Sequence, residues 1–264
     1  GTQANGTENQ TLSISINGQM LLNGGTTRQL TCSENASTGM YDITWQDSGQ
    51  AFSPGSGTLK ASLDLRDGTG ADYKGIPYYL DQLDKFARTF AEAFNEGIFA
   101  DGSQPYPGHA GGVGSDGSTG IRFFTYDGKA STDLVPAGVT DPGTITAAYA
   151  NITAANISLS ADIQADAKKI AASSAAGEAG NNENVNQLIK LCKDTDMFNK
   201  GTPEDFMNSI IATLGTNSSY ASRLAGNQAS FVKNIDDRRT SVSGVDTNEE
   251  TANITRYQQA YSSS

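Results

Sequence analysis

The chain has 264 residues, of which 84 are Ser, Thr, Asn or Gln, and its 29 acids outnumber 18 bases for a formal charge of −11. No run of about 18 apolar residues exists, so no membrane span is expected, and the acidic balance opposes the basic face that a nucleic-acid binder needs. One His and two Cys leave no zinc site unless carboxylates complete it, while 36% apolar residues are too many for a disordered chain.

The expected class is a soluble, acidic α+β protein whose length favours two subdomains. The first ten residues, GTQANGTENQ, read as a polar lead-in with no basic-then-apolar secretory leader. Leu12, Ile14 and Ile16 alternate with serines, Asn17-Gly18 supplies a two-residue hairpin turn, and Met20 to Leu22 form the return strand. Tyr41, Ile43 and Trp45 alternate again. Helical period begins near Thr58, with Leu59 and Leu63 four apart, and breaks between Asp67-Gly68 and Gly75.

Ile76-Pro77 opens the clearest helix. Its stripe of Ile76, Tyr79, Leu80, Leu83, Phe86, Ala87, Phe90, Ala93 and Phe94 predicts one broad buried face, and Asn95-Glu96-Gly97 ends it. A Gly/Pro loop follows. Strands are expected at Ile121 to Tyr126, Thr144 to Tyr149 and Ile157 to Leu159, and Ala-rich 161–176 is ambiguous.

The last 85 residues read as helical. Val185, Leu188, Ile189 and Cys192 make a short stripe, and Thr202-Pro203-Glu204-Asp205 is a well-formed helix start. Phe206, Ile210 and Leu214 follow to a stop at Gly215. A second helix carries Tyr220, Leu224, Phe231 and Ile235, and Asp246 with Glu249 caps a last one bearing Ile254, Tyr257 and Tyr261. Those three share a stripe that no later segment covers.

No catalytic constellation stands out. GVGSDG at 112–117 matches G-x-G-x-x-G, but a Pro-rich loop precedes it and a strand pattern follows, so loop glycines are expected. His109, in PGHAGG, is expected to be an exposed loop residue without a nucleophile. Asp81 and Asp84 fit the solvated side of their helix, and Asp64, Arg66 and Asp67 fit local ion pairs. No D-x-[DN]-x-[DN]-G calcium loop is present. A Cys32–Cys192 disulfide is not expected, Cys192 acting instead as a small hydrophobe. Seven Asn-x-Ser/Thr triplets carry little weight, because this composition produces about four by chance.

Two segments, 57–97 and 238–261, resemble the hook–filament junction proteins of bacterial flagella, the family of the first flagellar hook-associated protein. The first carries Gly57, Leu59, Leu63, Asp64, Arg66, Asp67, Ile76, Pro77, Leu83, Asp84, Phe86, Ala87, Asn95 and Gly97, with Gly120 and Phe123-Phe124 after it. The second carries Ser241, Ser243, Gly244, Val245, Glu249, Glu250, Asn253, Tyr257, Gln258, Ala260 and Tyr261. The second motif is shared with other axial proteins of rod and hook; the order of both selects the junction family.

The resemblance implies a non-enzymatic structural adaptor, secreted by the flagellar type III route and self-assembled into a junction ring. Hook protein, a second junction protein, further copies and an export chaperone are the implied partners, and no cofactor or metal is. It also implies a central fragment lacking the family's N-terminal helices and extreme C-terminus, hence a monomer in dilute solution. The expected organisation is a rod-like helical bundle with small antiparallel β-rich subdomains. Its parts are a β segment at 1–56, bundle helices at 57–97, a β-rich or irregular insertion at 98–180, and C-terminal helices at 181–264 packing with 57–97. Ile254, Tyr257 and Tyr261 are the expected assembly interface. One rival reading is a secreted adhesin or glycan-binding module with an aromatic cluster around Tyr41, Trp45, Tyr106 or Tyr126. Another is a hydrolase using paired carboxylates such as Asp64/Asp67, Asp81/Asp84 or Glu249/Glu250.

Overall fold

The computed structural model describes residues 12–36, 39–178, 180–199, 201–243 and 247–263. The first ten residues and Asp246, hence the cap expected from it, lie outside these. The strands are β1 (Ser13–Ile16), β2 (Gln19–Asn23), β3 (Thr26–Thr27), β4 (Leu30–Asn35), β5 (Met40–Trp45), β6 (Val113–Gly114), β7 (Phe124–Tyr126), β8 (Ile157–Leu159) and β9 (Ala171–Ser173). The α-helices are α1 (Gly57–Asp67), α2 (Ile76–Glu96), α3 (Ser131–Leu134), α4 (Pro142–Ala148), α5 (Ala161–Ala165), α6 (Glu183–Leu191), α7 (Pro203–Ser243) and α8 (Thr247–Ser262). The class is α+β. The chain forms two compact units, Gly1–Ala91 with Phe123–Asp166, and Glu92–Arg122 with Ala167–Ser264.

In the first unit, β1, β2 and β3 form an antiparallel sheet in chain order. Asn17 and Gly18 take φ of 47° and 77°, the positive pair that a two-residue turn requires. β4 and β5 pair over six residues, from Leu30 opposite Trp45 to Asn35 opposite Met40. Trp45 is 1% exposed and meets Phe52 edge-on at 5.6 Å. The Arg28 guanidinium lies 4.3 Å from the Trp45 ring centre and holds Asp47 through two bonds of 2.5 and 2.6 Å. On α2, Phe86 stacks on Phe90, which packs at 5.7 Å against Phe124. The expected broad stripe is only partly covered: Ala87 and Ala93 are buried, whereas Ile76 and Leu80 are exposed.

The strand expected at Thr144 to Tyr149 is a helix. Asp141 accepts the Thr144 N–H at 2.8 Å as N-cap and Pro142 occupies the first turn, so local capping chemistry overrides the Thr/Ile alternation. Ile145 and Tyr149, one turn apart, are the buried pair. Likewise β7 begins at Phe124 and not at Ile121.

The second unit gathers around the end of α2. Gly97 and Gly108, at φ of 71° and 66°, let the following loop fold back onto the last turn. His109 N–H donates to Phe94 O and Ala110 N–H to Asn95 O, both at 2.8 Å. This overturns the expected exposed histidine, since His109 is 0% exposed. β6 and β9 pair antiparallel, with Val113 opposite Ser173. The buried face of α6 also differs from the expected stripe: Asn184, Leu188 and Leu191 are buried, while Ile189 and Cys192 are exposed. The helix ends at Leu191, which leaves Cys192 beyond the packed face. Cys32 and Cys192 are free thiols, both exposed.

α7 corrects another expectation. It runs uninterrupted through Gly215, which was expected to stop it, and through Gly226, at about 1 kcal/mol each relative to Ala. Its start is as read: Asp205 N–H donates to Thr202 Oγ1 at 3.1 Å, and Thr202 N–H donates to the Asp205 carboxylate at 2.9 Å.

Candidate assembly surface

Along α7, Ile210, Leu214, Asn217, Ala221, Leu224, Gln228, Phe231, Ile235, Arg238 and Val242 follow alternating steps of four and three. That is a 3.5-residue repeat, which keeps a seam on one side of a helix that packs against another helix. Gly215 and Gly226 fall off this seam, so they weaken helix propensity without interrupting it. From Leu214 onward the seam residues are exposed except for half-buried Asn217. The N-terminal end is seated, as Phe206 stacks on Phe198 at 4.7 Å. Ile254, Tyr257 and Tyr261 share one face of α8, at 54%, 73% and 85% exposure.

The other candidate groups are engaged separately. Asp64 pairs with Lys60 and Asp67 with Arg66, on the wall of a cavity of about 310 Å³. Asp81 meets Arg88 at 3.7 Å, while Asp84 accepts the Ala154 N–H at 2.8 Å, so this pair does not share one reacting point. Glu249 and Glu250 are exposed in the first turn of α8, where they complement its dipole. The GVGSDG segment spans β6 and the turn after it, in which Gly114 N–H donates to Ser118 O and Asp116 accepts from Ser118 N–H. Tyr41 is exposed but Trp45, its neighbour on the same strand face, is buried, which removes it from any aromatic platform. Among the described residues no group of three or more His, Cys, Asp or Glu is placed to hold a metal ion, and no helix is long and apolar enough to cross a membrane.

Sequence reasoning missed a buried ion pair. Arg122 Nε donates to Glu96 Oε1 at 2.6 Å, with the two side chains 11% and 8% exposed. Glu96 ends α2, where the helix dipole disfavours a carboxylate, and Arg122 offsets that with direct charge. The available signal was a lone Arg inside the apolar run of Ile121, Phe123 and Phe124.

Residues 1–124 match the family model described as "Flagellar hook-associated protein FlgK helical domain". Flagellar hook-associated protein 1 of Bacillus subtilis (strain 168) is 29% identical over 192 residues, which cover 71% of this chain and 32% of the relative. Both findings support a FlgK-type hook-associated protein. The chain spans about a third of the length of that curated relative. The FlgK-matching residues hold β1–β6, α1, α2 and the Glu96–Arg122 pair, whereas α7 and α8 lie beyond them. The resemblance at 57–97 therefore lies inside the matched FlgK region, and the one at 238–261 lies outside it.

Proposed function

We propose that the chain belongs to a structural subunit of the bacterial flagellum that joins hook to filament by packing into a junction ring. The FlgK-type relationship supports the flagellar role, and the exposed 3.5-residue seam on α7 is the observation that carries the assembly reading. Each Leu, Ile or Phe moved from water into such an interface contributes about 1.5–3 kcal/mol, so several must be buried together to offset the cost of association. Ile254, Tyr257 and Tyr261 extend the same reading to α8. Hook protein, a second junction protein and further copies are the proposed neighbours, with an export chaperone before assembly and the extracellular flagellum as destination. In this reading the work is mechanical and needs no cofactor.

The test uses the full-length protein in the bacterium that makes it. Leu224→Glu combined with Phe231→Glu should leave cells with hooks but few filaments under the electron microscope, whereas the off-seam Ser222→Glu should leave filaments normal. Normal filament number in the double variant would sink the assembly role of the seam. The isolated 264-residue chain should behave as a monomer on light scattering, and concentration-independent oligomers would count against this reading.

A further inference from the structure

His109 is the chain's single histidine and is 0% exposed, and among the described residues no group of three or more His, Cys, Asp or Glu is placed to hold a metal ion. Its imidazole joins two separate strands of backbone. The Ala171 N–H donates to Nε2 at 3.0 Å, which fixes the proton on Nδ1, and Nδ1 donates to Ile121 O at 2.7 Å. The next link is equally buried: Asn184 Nδ2 donates to Ala171 O at 2.7 Å. Phe94 covers the ring at 6.2 Å between centres. One neutral imidazole thus connects the end of α2, the segment ahead of Arg122, β9 and, through Asn184, α6.

We propose that His109 is a proton-operated latch, whose protonation at Nε2 releases β9 and loosens the second unit. The chemistry is a change of sign at one atom. Neutral Nε2 accepts from the Ala171 N–H; protonated Nε2 is a donor and faces another donor at hydrogen-bond distance. Charged groups on the surrounding elements include Glu92 and Glu96 in the last two turns of α2, Arg122 beside Ile121, Lys168 and Lys169 ahead of β9, and Glu183 and Lys190 of α6. Glu96 and Arg122 satisfy each other. Burial pushes the imidazole below its ordinary range, and the Ile121 carbonyl opposes this more weakly.

The direction of the pH effect follows. The unfolded or opened chain takes up a proton near the ordinary value of 6.5, whereas the closed unit does so only at lower pH. Stability is complete above 6.5 and falls as the pH drops below it, until the folded group itself titrates. The exposed carboxylates with lowered values, Asp47, Asp101, Asp116, Asp141 and Asp205, act only below the ordinary 3.8, so they leave this window clear.

Amide hydrogen exchange on the intact chain, corrected for intrinsic rates, tests the latch. Protection at Ala171 should fall about tenfold between pH 7.5 and 5.5, while the β4–β5 ladder of the first unit changes little. His109→Gln should abolish that pH dependence. Where this variant does not fold, the imidazole ¹⁵N signals of the unaltered chain decide. A ring that stays neutral and Nδ1-protonated until Ala171 protection is lost supports the latch. A ring that becomes charged while Ala171 stays protected overturns it, as does protection at Ala171 that is constant from pH 7.5 to 5.5.

Discussion

Arg122→Ala should destabilise the second unit by about 3–5 kcal/mol, the usual consequence of stranding one member of a buried ion pair. Glu96 would then keep a carboxylate with 8% of its side chain exposed, at the helix end where the dipole already disfavours it. The double variant Glu96→Leu with Arg122→Leu should recover most of the loss, because no charge remains to be desolvated. Urea unfolding by circular dichroism, with amide exchange within the second unit, measures both. A single variant within 1 kcal/mol of the parent, on the scale of an exposed pair, would show that the ion pair contributes no more than a surface bridge.

A comparable loss is expected from Gly97→Ala. At φ of 71° an L side chain costs about 1–2 kcal/mol. The added Cβ would also lie 1.8 Å from the Tyr106 carbonyl oxygen, a rigid backbone atom, so the loop must move. The combined cost should exceed about 3 kcal/mol. Gly117→Ala is the control: its φ is 83°, but nothing lies within 4 Å of the new carbon, and only the conformational cost of about 1–2 kcal/mol applies. Equal effects at the two positions would refute the steric argument.

What the sequence made legible was local. Serine alternation and Asn17-Gly18 identified the first hairpin, the phenylalanine-rich stripe identified α2, and Thr202-Pro203-Glu204-Asp205 placed the start of α7. The misreadings had local causes too. At 141–149 the Thr144 to Tyr149 pattern suggests a strand, whereas the Asp141-Pro142 cap acts on the backbone directly and starts a helix. At Gly215 one weak helix former suggests a stop, while the 3.5-residue repeat continues through it. His109 and Arg122 were a different matter. Their burial depends on loop glycines that bring distant backbone together, and no periodicity along the chain records that approach. Of the candidate surface, Ile254, Tyr257 and Tyr261 were legible as a stripe, whereas the longer seam of α7 emerged only once the helix was seen to be continuous.

The return of the loop onto α2 has a consequence for how the protein is divided. The carbonyls of Phe94 and Asn95 accept from the N–H groups of His109 and Ala110, so the helix end is finished by residues more than a dozen positions downstream. A recombinant piece ending at Glu96 would contain every residue of the helix and still lack its terminus. The smallest self-contained version of α2 therefore extends at least to Ala110.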